Sequence, residues 1–281
     1  MSSCFARTRQ HLWLAAVVLL LPLSNWLAGC DNPKSAGNLR FKAREASKAH
    51  PARHPASSTP VGAPRLAIIL DDFGTDRSAS DSVFALPFPL TLSFLPDHPG
   101  SREIAEEAHR RGYEIMLHLP MQSLGNELPE PRQLRSGMNT SQVSDVLGTM
   151  LQSVPYAVGI NNHQGSLATT DGPLMADLMG ILRQRNLFFI DSRTTAATVA
   201  YDAAQNAGVP CAYRNVPFLD DVEEVSAIRK QLQLALRDAQ EKGEAIAIGH
   251  PHPETLRALS EFLPHVEAQG VHLVHASELV H

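Results

Sequence analysis

The feature that most constrains this 281-residue chain is a rhythm that begins at Arg65: short apolar runs alternating with amphipathic stretches. The runs occupy residues 66–70, 90–95, 114–117, 157–160, 187–190, 211–213, 245–248 and 271–274. Runs this short, bounded by turn residues, read as strands buried on both faces, as in a parallel sheet. The stretches between them carry helix signals. Ser101 caps a stretch bearing Ile104, Ala105 and Ala108, which closes with Arg110, Arg111 and Gly112. Thr140 or Ser141 opens a second helix, and Asp171 with Pro173 a third. Asp220 or Asp221 opens a fourth, with Val222, Val225, Ile228, Leu232 and Leu236 inward and Gly243 as its stop; Pro253 starts the last. Alternating strand and helix defines an α/β domain, a parallel sheet covered by helices. Periodicity alone leaves open whether that sheet is flat or closed into a barrel.

Folds of this kind carry their chemistry at the carboxyl ends of the strands. The first run breaks off in Asp71-Asp72-Phe73-Gly74. The third runs into His118, the fourth into Asn161-Asn162-His163, the fifth into Asp191-Ser192-Arg193, and the seventh into Gly249-His250-Pro251-His252. One Asp or His after an apolar run is commonly only a helix cap. Five strands that deliver Asp or His to one rim indicate a site. Neighbouring strand residues face opposite ways, so Asp71 and Asp72 can take different jobs, one holding a metal and the other handling protons. Two imidazoles and a carboxylate, with positions left for water, make the ligand set of a hydrolytic divalent metal. The remaining carboxylate and imidazole then supply base and acid. His98 and His252 lie near the same rim, whereas the other histidines fall on helices or near the chain ends. No Gly-rich phosphate loop follows a strand. Ser166 and Ser192 offer hydroxyls at the rim, but neither sits in a Gly-x-Ser-x-Gly elbow, which disfavours a serine nucleophile.

Charge separates the chain into parts. Of its 24 basic and 29 acidic residues, eight basic and two acidic ones precede Arg65, so residues 65–281 carry 16 against 27, a formal −11. A domain this acidic is a poor nucleic-acid binder. Residues 1–29 combine Arg7 and Arg9 with an apolar segment at 12–23, too short for a confident spanning helix, and read as a signal peptide. Its end, Leu27-Ala28-Gly29-Cys30, resembles a bacterial lipoprotein lipobox. That resemblance implies a lipidated Cys30 that anchors the mature chain in the membrane. Asp31 resembles the signal that retains lipoproteins at the inner membrane. An ordinary signal peptide or an uncleaved anchor are the alternatives, and all three place the domain outside the cytoplasm, on the periplasmic side. Residues 30–64, rich in Pro, Ser, Ala and basic side chains, read as a disordered basic tether. The cysteines Cys4, Cys30 and Cys211 show no ligand spacing.

Several stretches resemble the divergent polysaccharide deacetylases, relatives of the carbohydrate esterases with a NodB-type domain. They are residues 69–74, 116–121, 159–166, 189–194, 214–220 and 247–251, in the family's order. The resemblance implies a distorted (β/α)7-8 barrel over residues 65–281. It also implies Asp71 as catalytic base, Asp72 and His118 as metal ligands, and His250 as general acid, positioned by Asp191 and Arg193. The wider group takes both histidine ligands from one His-x-x-x-His turn. Here Leu119, Pro120, Met121 and Gln122 follow His118, so the second imidazole is assigned to His163. The expected activity is metal-dependent, zinc by preference, removing acyl groups from an envelope polysaccharide such as peptidoglycan. The competing expectation is a non-catalytic envelope lipoprotein whose rim binds a glycan or a protein.

Cys30→Ser is expected to release the protein from membranes or leave an unprocessed precursor on fractionation. Unchanged processing and anchoring would remove the lipobox.

Overall fold

The computed structural model describes residues 62–281, apart from 126, 127 and 129. The signal peptide, Cys30 and the tether up to residue 61 lie outside the described residues. Among the described residues eight strands form one all-parallel sheet: β1 (Arg65–Phe73), β2 (Thr91–Phe94), β3 (Glu114–Met121), β4 (Gly159–Gln164), β5 (Phe188–Asp191), β6 (Cys211–Tyr213), β7 (Glu244–Gly249) and β8 (His272–Val274). Their order is β6-β5-β4-β3-β2-β1-β7, with β8 paired to the first residues of β1. Among the described residues no ladder joins β6 to β7. The chain after β6 closes that seam instead. Asn215 N donates to Ile246 O at 2.9 Å, Ile246 N donates to Asn215 Oδ1 at 2.7 Å, and Leu219 N donates to Ile248 O at 2.8 Å. The sheet is therefore the distorted barrel that the resemblance implied, closed on one side by an irregular segment rather than a strand.

Strand alternation sorts the side chains into two layers. Leu66, Ile68 and Leu70 of β1 join the layer beneath the helices, with Leu117, Ile160 and Phe189. Ala67 and Ile69 face the barrel interior, with Met116, Phe188, Ile190, Ile246, Ile248 and Val274. That interior fills the lower barrel with apolar side chains and leaves the polar ones for the carboxyl-end rim.

The helices are α1 (Arg77–Val83), α2 (Ser101–Arg111), α3 (Thr140–Ser153), α4 (Gly172–Arg185), α5 (Ala200–Ala207), α6 (Val225–Lys242) and α7 (Pro253–Phe262). Asp171 caps α4 by accepting from Leu174 N at 3.1 Å. The starts of α2 and α6 differ from the sequence reading. Ser101 is the first residue of α2 rather than its cap, and its Oγ donates to Leu95 O at 2.6 Å. Helix α3 starts at Thr140, as read. Asn139, one residue before Thr140, caps α3 through a reciprocal capping box with Gln142. Helix α6 begins at Val225, after Glu224, and Val222 is exposed rather than inward. Asp220 cannot cap α6, because its carboxylate is engaged elsewhere at the rim. Among the described residues no helix is long and apolar enough to cross a membrane.

Gly159 opens β4 directly against Phe188. A Cβ there would lie 2.3–2.5 Å from three ring atoms of Phe188, which is itself buried. Gly159→Ala is expected to cost about 1–3 kcal/mol through overpacking. Urea unfolding measures it, and a midpoint equal to that of the parent would contradict this packing.

Candidate metal centre

The site is built by strand phase and one bulge. On β3 the inward phase of Met116 continues to His118, and on β4 that of Gly159 continues to Asn161 and His163. Register aligns His118 with Asn161 and Pro120 with His163. His118 and His163 are thus diagonal neighbours on one face of two paired strands, with ring centroids 4.8 Å apart. Residues 118–121 remain strand, so a histidine at 122 would not share a helical face with His118; the adjacent strand supplies the second imidazole instead.

Simple alternation would send Asp71 inward and Asp72 to the helix layer. The ladder with β2 shifts at this point: Leu70 pairs with Leu92 and Phe73 with Phe94, so two residues of β1 oppose Ser93 alone. Asp72 adopts a left-handed φ of 62° inside this bulge. Such a conformation costs a non-glycine residue about 1 kcal/mol, with Asp among the more tolerant types. The bulge brings both carboxylates to one place. Asp72 Oδ1 lies 3.3 Å from His118 Nε2 and 3.2 Å from His163 Nδ1, while Asp71 Oδ2 lies 3.6 Å from His118 Nε2.

Asn161 fixes the polarity of this cluster. Its Nδ2 donates to both oxygens of Asp71, at 2.8 and 3.1 Å. Its Oδ1 therefore faces the other way, accepting from Ser93 Oγ at 2.5 Å and facing His118 Nδ1 at 2.8 Å. An amide oxygen only accepts, so His118 carries its hydrogen on Nδ1 and turns Nε2 toward the carboxylates. Burial raises the pKa of Asp71, outweighing the opposite pull of His118, His250 and Asn161. For Asp72 burial also acts upward, but His118 and His163 outweigh it and hold the carboxyl far below its usual range. Burial lowers the pKa of His118, yet Asp71 and Asp72 more than reverse this.

Asp72 Oδ1 is buried with no hydrogen-bond partner among the described residues. An orphaned carboxylate oxygen facing two ring nitrogens is a costly arrangement unless a proton or a cation occupies the space between them. Ligand atoms around a four-coordinate zinc with bonds of about 2.1 Å stand roughly 3.4 Å apart, close to the separations found here. Asp72, His118 and His163 fit a divalent cation.

Across the rim, Asp220 holds His250. Asp220 Oδ1 faces His250 Nδ1 at 2.9 Å, and Oδ2 accepts from His250 N at 2.6 Å and Thr255 Oγ1 at 2.8 Å. A Cβ on Gly249 would stand 3.2 Å from Asp220 Oδ2, so this close approach favours glycine there. His250 Nε2 points back toward the cluster, 3.8 Å from Asp72 Oδ2. Burial lowers the His250 pKa, but the hydrogen bond to Asp220 and the nearby Asp71 overcome it and raise it to about 9. Asp220, His250 and His252 form a second group with closely spaced donor atoms. The hydrogen bonds already made by Asp220 make it the poorer cation site.

The expectation that Asp191 and Arg193 position His250 is corrected by these contacts. Phe188 and Ile190 take the inward phase of β5, which turns Asp191 to the helix side. There Asp191 Oδ1 accepts from Arg193 N at 2.8 Å, and Oδ2 accepts from Thr198 Oγ1 at 2.9 Å and Tyr201 N at 3.3 Å. Asp191 anchors its own loop, and the Arg193 guanidinium lies 3.4 Å from the centre of the Tyr213 ring. Ser166 Oγ accepts from Leu124 N at 2.9 Å, and Ser192 Oγ has no partner among the described residues, so no base stands ready to activate either hydroxyl. Asn161, Ser93 and Asp220 were not singled out from sequence as site residues. The one signal for them was polarity inside or just after an apolar run.

The rim of this parallel α/β barrel thus carries a carboxylate–imidazole cluster that could hold a metal ion. The model of the family described as divergent polysaccharide deacetylase matches residues 68–280, and this chain belongs to that family. It is 41% identical over 225 residues to "Uncharacterized protein YibQ" of Escherichia coli (strain K12), covering 80% of this chain and 70% of that one. An "Uncharacterized protein" of Haemophilus influenzae is 39% identical over 195 residues, 69% of each chain. Among solved structures, uncharacterized protein ATU2773 from Agrobacterium tumefaciens C58 superposes with a TM-score of 0.76 at 24% identity, covering 81% of this chain and 93% of that one, a likeness of fold.

Asn161→Ala removes the donor to Asp71 and frees the His118 tautomer. It is expected to weaken zinc binding about 10–100-fold while the domain stays folded. Competition with a chromophoric chelator reads the affinity, and a value equal to that of the parent would contradict the role given to Asn161.

Proposed function

We propose that this chain is a metal-dependent hydrolase that removes N- or O-acyl groups from an envelope glycan, with peptidoglycan the first substrate to test. The observation that carries this reading is the grouping of Asp72, His118 and His163 around an orphaned carboxylate oxygen, with Asp71 and His250 close by. Membership in a family described as polysaccharide deacetylases supports the glycan. The lipobox reading of Cys30 supports a place in the periplasm, on the outer face of the inner membrane.

Asp72, His118 and His163 would hold the cation, zinc in this proposal, which when bound polarises an acyl carbonyl and makes a neighbouring water more acidic. Asp71 takes the proton from that water. Asn161 holds both Asp71 oxygens in place for that transfer. His250, kept protonated by Asp220, gives a proton to the departing amine or hydroxyl. Base and acid thus come from different places in the sheet, Asp71 in β1 and His250 just after β7.

Asp71→Asn is expected to keep the metal and lose at least about 100-fold in kcat for acetate release from acetylated glycans. Equal turnover would exclude Asp71 as the base. In Asp220→Asn the anion that favours imidazolium is gone, so the His250 pKa falls. The alkaline limb of the pH–rate profile should then move to lower pH. A limb that stays in place would exclude His250 as the acid. Full metal occupancy with no release from any acetylated glycan would favour a binding protein.

A further inference from the structure

His163 presents Nδ1 to Asp72, which leaves Nε2 as the ring nitrogen that must carry the hydrogen if Nδ1 is to offer its lone pair. The carboxylate facing Nε2 is Glu130, on the segment between β3 and α3, with Oε1 at 4.0 Å. On its far side Glu130 Oε2 lies 3.3 Å from His98 Nε2, on the segment between β2 and α2, a close approach without hydrogen-bond geometry. The same two segments meet again where Arg132 Nε donates to Asp97 Oδ2 at 3.0 Å. Side-chain exposure falls inward along the chain of contacts, from 28% at His98 to 20% at Glu130 and 17% at His163. A half-buried carboxylate between two imidazoles, fixed by a neighbouring ion pair, is aimed rather than merely solvated.

We infer that Glu130 is a positioning residue: it accepts the Nε2 hydrogen of His163, so that Nδ1 offers its lone pair to the cation position beside Asp72. The separation of 4.0 Å is an ion-pair distance, and an approach of about 1 Å makes it a hydrogen bond. Histidine ligands to metals are commonly oriented by such a carboxylate, whose loss costs 10–100-fold in affinity. His118 receives the same service from the Asn161 amide oxygen. The two imidazoles therefore use opposite ring nitrogens, each with its own acceptor. This inference rests on the reading that Asp72, His118 and His163 hold a divalent cation.

The test uses the full-length protein with 15N-labelled histidine, the His163 signals being assigned by their loss in His163→Asn. Without metal, Nδ1 stands 3.2 Å from the Asp72 Oδ1 acceptor, so the ring is read in the zinc-loaded protein. Long-range 15N–1H correlation locates the Nε2 hydrogen, its exchange with solvent reads the acceptor, and zinc affinity is measured by chelator competition. The expected result is a slowly exchanging Nε2–H at His163 in the parent chain. Glu130→Ala should speed that exchange and weaken zinc binding about 10–100-fold. Glu130→Gln, which keeps an acceptor oxygen, should retain slow exchange. Unchanged exchange and unchanged zinc affinity in Glu130→Ala would overturn the assignment, as would equal effects in Glu130→Gln and Glu130→Ala. A parent chain that binds no zinc would instead overturn the cation reading on which the inference rests.

Discussion

Asp71 is a carboxylate almost without solvent contact, 1% exposed at the end of a strand. Such a group stays in a barrel only if hydrogen-bond donors meet its oxygens. Asn161 meets both, and that single contact sets the direction of everything around it. With its nitrogen committed to Asp71, the amide turns its oxygen to Ser93 and His118, which places the His118 hydrogen on Nδ1 and leaves Nε2 toward Asp72. Three strands, β1, β2 and β4, contribute to one hydrogen-bonded unit with β3, and ladder pairing between these neighbours keeps them in register. The barrel matters to the chemistry because it holds these four strand ends at fixed spacing.

The Asp72 bulge is the second determinant. A regular β1 would separate the two carboxylates onto opposite faces, and the cluster would lose the one that faces both imidazoles. The left-handed backbone at Asp72 is a local cost accepted at the rim, where strained conformations concentrate in functional sites. Likewise, the assignment of the second imidazole to β4 follows from β3 continuing as a strand through Pro120 and Met121. Two histidines on one helical turn and two on a diagonal of a parallel ladder reach the same separation by different local geometry.

Much of this was legible in the sequence. Each of the eight apolar runs contains or overlaps a strand, and the rim residues at their ends include Asp71, Asp72, His118, His163 and His250, which the fold brings together. What escaped depends on geometry that periodicity does not encode. Strand phase turned Asp191 outward, although its place after an apolar run matched that of Asp71. Asp220 read as a helix cap because it precedes an amphipathic stretch, whereas the seam beside β7 carries it to His250. Asn161 is uncharged and sits within a strand, so its weight appears only when Asp71 and His118 are seen on either side of it. Glu130 lies in a segment without apolar period, where pattern has nothing to say.

The claim on which the rest turns is that Asp72, His118 and His163 together hold a divalent cation. Anomalous X-ray scattering on either side of the zinc edge, from crystals equilibrated with zinc, tests it most directly. One strong peak within bonding distance of Asp72 Oδ1, His118 Nε2 and His163 Nδ1 is the expected result. No peak at that position, or a peak confined to the Asp220, His250 and His252 group, would contradict it.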